Sequence, residues 1–271
     1  DGGGALAVTG AQGRARGVWW LLLPVVALVF AACSNGNDED DGLTVFAAAS
    51  LRTVVAELEA AWLEEHPEAP LTVSSEASNV LAAQIAEGAP ADVFLSADTL
   101  RPQELVDEGL TVGRPMPFAR NRLTVVVPET DDRIGAPTDL AKADVRIVGI
   151  SEGAPIARYT HQAIEALAQS QSDPAAFSAA VGANVVSRED NVRAALAKVE
   201  LGEGDAAFVY VTDALGSGEV RQLPLPASAD VSAAYATVQV SDRPVAAEFV
   251  RWLGGPEAAA VLEAAGFEAA S

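Results

Sequence analysis

From Leu43 to the C-terminus, short apolar runs alternate with amphipathic ones. Leu43–Ala47, Leu71–Ser74, Asp92–Ser96, Leu123–Val127, Arg146–Ile150, Val185–Ser187, Ala206–Tyr210 and Ala236–Val240 have the length and apolar content of strands. Runs of helical period lie between them. Leu51, Val54, Leu58 and Trp62 share one face behind Ser50, an N-cap residue type, and Pro67 and Pro70 end that helix. Ser78 stands at the cap of a second helix, which carries Leu81 and Ile85 and stops at Gly88. Pro102 falls in the first turn of a third, Pro155–Ala168 forms another, and Asp190 precedes one that ends near Gly202. Two helices close the chain, around Val245–Leu253 and from Pro256 to Gly266. Strands alternating with helices predict an α/β protein with largely parallel sheets.

The pattern repeats weakly. Asn79-Val80-Leu81-Ala82-Ala83 leads through a glycine to Asp92-Val93-Phe94. Asn191-Val192-Arg193-Ala194-Ala195 leads through a glycine to Asp205-Ala206-Ala207-Phe208. Each segment reads as helix, glycine stop and strand. Alanine-rich helices also match by chance. As a duplication, the echo implies two similar lobes with a ligand between them at the strand ends.

Upstream of Leu43 the pattern changes. Arg14 and Arg16 precede the apolar run Val18–Phe30, and Ala31-Ala32-Cys33 follow it. A basic start, a short apolar core and small residues make a secretory signal. Cys33, the only cysteine, resembles the lipidated cysteine of a lipobox, with Phe30 where leucine is commoner. The expectation is a signal peptide over 1–32, lipid attachment at Cys33, and an acidic tether over 33–42 too polar to bury itself. One competing reading is an uncleaved membrane helix, for which Val18–Phe30 is short and interrupted by Pro24. The other is an ordinary buried cysteine, which its polar sequel at 34–37 does not suit. A single cysteine allows no internal disulfide, so the core must hold the fold.

Half of the 271 residues are apolar, enough for a large core, and the net charge is −21. That charge argues against nucleic acid, which needs a basic face, and against anionic headgroups. Otherwise it means solubility. Only His66 and His161 are present, and there is no HExxH, GxSxG, GxxxxGK[ST] or GxGxxG. A membrane-anchored serine hydrolase built on Ser50 or Ser78 therefore lacks an evident base. What remains are helix N-termini that follow strands: at Ser50, at Ser78, at the Ala154-Pro155-Ile156 turn and at the Asp190-Asn191-Val192 turn. Free N–H groups and the helix dipole make such ends receptive to anions, although one serine there is by itself an ordinary cap.

These are also the places where the chain resembles a known family. Thr44-Val45-Phe46-Ala47-Ala48-Ala49-Ser50-Leu51 looks like the opening strand and turn of periplasmic molybdate-binding proteins of ABC transporters. Ala77-Ser78-Asn79-Val80-Leu81-Ala82 resembles their second serine loop, and residues 88–98, GAPADVFLSAD, are similar to a family signature. Glu189-Asp190-Asn191-Val192-Arg193, Val209-Tyr210-Val211-Thr212-Asp213-Ala214, Gly255-Pro256-Glu257-Ala258-Ala259 and Gly266-Phe267 match later segments. The resemblance runs in order from Leu43 to about Phe267.

It implies a type 2 periplasmic-binding-protein fold of two α/β lobes. These would be 43–121, completed by 239–271, and 122–238, joined by crossover strands near Leu123 and near Ala236–Val240. It further implies a monomeric, extracytoplasmic binding protein of lipoprotein form, neither enzyme nor cofactor carrier, that passes molybdate or tungstate to an ABC permease. Carried over residue by residue, the hydroxyls of Ser50, Ser78 and Tyr210 would hold the oxyanion. Backbone N–H groups of the two serines, Ile156 and Val192 would complete the site. Molybdenum or tungsten would be bound only as the oxyanion. Two positions depart from the family pattern: Glu76 and Ile156 stand where small residues are usual. Molybdate and tungstate are deprotonated dianions that can only accept hydrogen bonds, so a site made of donors suits them. Phosphate keeps a proton that such a site leaves unpaired. Sulfate is smaller, so its rejection rests on cavity size, and a sulfate-type binder is the main alternative.

Overall fold

The structure is a computed structural model that describes Gly2 and residues 42–270. The expected signal sequence, Cys33 and the tether up to Asp41 lie outside the described residues. Strand β1 (Leu43–Ala48) leads through a 3-10 turn at Ala49–Leu51 into α1 (Arg52–Glu65). Then follow β2 (Leu71–Glu76), α2 (Ser78–Ala86), β3 (Val93–Ser96) and α3 (Leu100–Asp107). β1 is parallel to both β2 and β3. A second set has the same plan. It comprises β5 (Ile147–Ile150), α4 (Pro155–Ala168), α5 (Pro174–Ala183), β6 (Val185–Glu189), α6 (Val192–Glu200) and β7 (Ala206–Tyr210), with β5 parallel to β6 and β7.

Between these triplets run β4 (Val112–Pro128) and β9 (Ser232–Gln239), giving the order β2-β1-β3-β9-β4-β7-β5-β6. β4 changes partners along its length. Val112 to Arg122 pair with β9, whereas Leu123 to Pro128 pair with β7 and with β8 (Val220–Pro224). Pairings that involve β4 or β9 are antiparallel, so the sheets are less parallel than expected. Parallel pairing needs a crossover helix and is confined to the two βαβ triplets. The second return to the first sheet also comes earlier than Ala236–Val240. β8 still pairs with the second set at Pro224, and β9 already faces β4 at Ser232.

Burial follows the apolar periodicity. Leu51, Val54, Leu58 and Trp62 are all within 2 % of fully buried. The last helices, α8 (Pro244–Leu253) and α9 (Pro256–Ala264), complete this first core. Phe249 and Trp252 of α8 stand edge-on to Trp62 at 5.2 and 5.5 Å between ring centroids. Removing such a ring leaves a cavity costing about 3–5 kcal/mol. Four elements are absent from the apolar pattern: α5, α7 (Val211–Leu215), β8 and the first half of β4. α5 buries only Phe177 and Val181 in an alanine-rich run, which blurs its period. In β4, Pro115 and Pro117 interrupt the pattern, and its register shifts beside them, as bulged strands do.

Candidate functional site

All five residues expected to hold an anion line one small cavity, of about 20 Å³, between the two triplets. The sequence brings them there because each follows a strand at its C-terminal end, where a doubly built sheet leaves its crevice. Ser50 lies in the 3-10 turn after β1. Ser78 is the first residue of α2, after β2. Val192 is the first residue of α6, after β6. Ile156 is second in α4, after β5, and Tyr210 ends β7. Among the described residues, none with a charged side chain lines this cavity.

The two serines do not cap their helices. The N-cap positions are Leu51 for α1 and Ala77 for α2, and neither helix has a side-chain cap. The hydroxyls turn to other work. Ser78 Oγ accepts the N–H of Ala97 at 3.0 Å, which leaves its own proton to donate. Ser50 Oγ lies 2.8 Å from the hydroxyl of Tyr235, a residue the sequence reading missed. Tyr235 sits in β9 and stands edge-on to Tyr210 at 5.6 Å. Burial pushes the phenols of both tyrosines well above the usual range, so each remains a neutral O–H. Tyr210 Oη is buried with no hydrogen-bond partner among the described residues. An unpaired buried donor is costly, and so suggests a partner from outside.

The helix ends supply amides. Pro155 occupies the first position of α4, where its missing N–H is not needed, so Ile156 provides the first donor. The expected cap Asp190 is displaced by Asn191, whose Oδ1 accepts the N–H of Ala194 at 3.0 Å. Asp190 instead receives the Ser151 hydroxyl at 3.4 Å. The amides of Val192 and Arg193 are thereby left at the open end of α6. Glu76 does not line the cavity; its Oε2 accepts Nδ2 of Asn191 at 3.2 Å. The carboxylate is therefore drawn into a hydrogen bond beside the site rather than aimed into it.

A second layer fixes these donors. Ser96 Oγ donates to Asp98 Oδ1 at 3.0 Å, and the same carboxylate oxygen accepts the N–H of Arg101 at 3.0 Å. This holds the Ala97 segment whose amide meets Ser78. Behind Tyr210, the fully buried Asp213 of α7 has its carboxyl pushed up to about 7 by burial, against the opposing pull of Arg193 at 3.4 Å. Neither histidine hydrogen-bonds either serine. His66 stacks on Trp62 at 3.6 Å, and His161 lies 3.6 Å from Glu152. A larger cavity of about 450 Å³ lies against β5 under α4 and α5. Its walls are mainly apolar, and no set of helix N-termini converges on it.

Residues 43–268 match the family of bacterial extracellular solute-binding proteins. The chain is 30% identical over 260 residues to the molybdate-binding protein ModA of Escherichia coli K12, covering 92% of this chain and 97% of that one. It is 30% identical over 254 residues to Bacillus subtilis YvgL, whose name describes an ABC transporter substrate-binding lipoprotein; 89% of this chain and 94% of that one are covered. The periplasmic molybdate-binding protein of Azotobacter vinelandii superposes with a TM-score of 0.70 at 23% identity, covering 83% of this chain and 98% of that one. That last likeness is one of fold, and it carries the two-lobed type 2 architecture.

Proposed function

Because the chain belongs to the bacterial extracellular solute-binding proteins, and among them to the ModA type, we propose that it captures molybdate or tungstate between its lobes and delivers it to an ABC permease. One observation carries the reading: the five residues named from the sequence line a single cavity that, among the described residues, no charged side chain lines. Three helix N-termini, of α2, α4 and α6, give that cavity a positive potential without a counter-ion. Ser50, Ser78 and Tyr210 would add hydroxyl donors, and the dianion would supply the acceptor that Tyr210 Oη lacks.

Such a site binds without transforming. It offers no general base and no nucleophile next to one, so the bound ion leaves as it came. The cavity of about 20 Å³ is close to the size that holds one water, so the lobes would part to admit a tetrahedral ion. The moving bodies we propose are the β1–β3 set with the C-terminal helices and the β5–β7 set. The hinge would lie where β4 changes partners and where the chain returns before Ser232. Lipid attachment at Cys33 would keep this monomer at the outer face of the membrane. A chain with net charge −21 gains nothing from long-range attraction of an anion, so affinity would arise from short-range donors after closure.

Calorimetric titration with molybdate, repeated in excess sulfate, tests the reading. One-to-one binding that survives sulfate is expected. Ser50→Ala and Tyr210→Phe should each weaken it about tenfold or more, since each removes a donor to a desolvated charge. Binding abolished by sulfate would move the assignment to a smaller oxyanion. Unchanged affinity in both variants would remove these residues from the site.

A further inference from the structure

We propose that Glu76 is a positioning residue for anion capture, holding the N-terminus of α6 in place across the cleft through Asn191. The inference rests on the molybdate reading above and adds to it a residue that does not touch the ion. The Asn191 side chain is engaged at both ends. Its Oδ1 caps α6 by accepting the N–H of Ala194, and its Nδ2 donates to Glu76 Oε2 at 3.2 Å. The amide therefore joins the first turn of α6, where Val192 presents its N–H, to the end of β2. Glu76 is the last residue of β2 and pairs in register with Ala48 at the end of β1. It is thus two residues from Ser50 along the paired strand and two from Ser78 along its own chain. A hydrogen bond from this point fixes the α6 donors relative to both serines.

The neighbouring wall is fixed by different contacts. The Asn79 side chain of α2 packs on Gly153, where an added Cβ would lie 2.9 Å from Nδ2. Arg101 of α3 donates to the Gly153 carbonyl at 3.4 Å. Those contacts locate the turn before α4 and so position Ile156, whereas the Glu76–Asn191 bond meets the first turn of α6, which also packs against the Ala49–Leu51 turn. The position that departs from the family's small residue thereby has a use. Its carboxylate is spent on an amide donor, and the anion meets the helix end that this bond orients.

Glu76→Ala and Glu76→Gln separate this role from simple charge repulsion, because the glutamine amide oxygen still accepts from Asn191. Molybdate titration and hydrogen exchange of the α6 first turn are measured on the full chain. Glu76→Ala should weaken molybdate binding about fivefold and speed exchange at 194 and 195, whose amides bond to Asn191, the loss of one hydrogen bond. Glu76→Gln should stay within about twofold of the parent in both. If the two variants behave alike, unchanged or both tighter, the proposal fails; the second result would assign Glu76 to repulsion alone. If the parent takes up no molybdate, the functional reading fails. Exchange alone then decides this one, in favour if only Glu76→Ala is faster and against if the two agree. Asn191→Asp keeps the cap but opposes two carboxylates. Adding Glu76→Gln to it reverses donor and acceptor and should restore slow exchange.

Discussion

The β1–β3 and β5–β7 triplets share a skeleton but not a chemistry. Each has a central strand with two parallel neighbours, and each passes from helix to final strand through a left-handed glycine, Gly88 or Gly202. Each final strand is preceded by an aspartate with the same task. Asp92 accepts the N–H of Thr44 at 2.8 Å and meets Arg243 at 2.8 Å. Asp205 accepts the N–H of Arg146 at 2.8 Å and meets Arg133 and the Arg146 guanidinium. The weak echo in the sequence is therefore a structural equivalence. The difference lies past the strand ends. The first triplet brings serine hydroxyls to the cleft, and the second brings a tyrosine and bare helix amides. A shared frame places donors, and local sequence decides what kind they are.

The buried acids beyond β3 and β7 offer the sharpest contrast. Asp98 is hydrogen-bonded by Ser96 and Arg101, whereas Asp213 Oδ2 has no partner and its carboxyl sits at about 7. A carboxyl raised from 3.8 stays protonated in the folded chain while the unfolded chain ionises. Stability from Asp213 is thus complete below about pH 4 and is lost as pH rises through about 7. Asp213→Asn should abolish that slope and add a few kcal/mol above neutrality, measured by denaturant unfolding across pH. Asp131, Asp139 and Asp205 act in another window. Burial opposes the ionisation of Asp139 and Asp205, yet hydrogen bonds outweigh it; at Asp131 the Arg133 hydrogen bond leads. Their lowered carboxyls contribute stability above about pH 4 that is lost on further acidification.

The next contrast tests equivalence itself. Asp92→Ala and Asp205→Ala each orphan a strand amide, so each should cost about 1–3 kcal/mol of unfolding free energy. The partly exposed arginines can rehydrate and add little. A large gap between the two costs would break the comparison. The smallest effect separates the two hydroxyl sources. Ser50→Ala removes one hydrogen-bond partner of the Tyr235 hydroxyl and should lower stability by about 1 kcal/mol. Tyr210→Phe removes a hydroxyl that has no partner among the described residues, so its unfolding midpoint should stay put or rise slightly. Anion affinity should nevertheless fall in both.

Much of this was legible along the chain. Pro155–Ala168 and Ala206–Tyr210 form as their pattern dictates, and the core face of α1 lies where Leu51, Val54, Leu58 and Trp62 put it. Strand and helix follow from local period, because burial of one face is a property of spacing. Pairing does not follow from spacing. Nothing local to β4 states that Arg122 belongs with β9 and Leu123 with β7, and nothing local to α5 or β8 marks them off. Along the chain Ser50 and Ser78 read as caps, since a serine after a strand normally bonds its own helix, yet neither hydroxyl caps one. Their partners, Tyr235 from 185 residues away and Ala97 from 19, exist only once the sheet is assembled. The same holds for Glu76 and Asn191, which are 115 residues apart. The sequence determined which elements form and which hydroxyls and amides could serve an anion. The tertiary structure decided which of them face one another, because hydrogen bonds between distant segments depend on how strands pair and not on what precedes them in the chain.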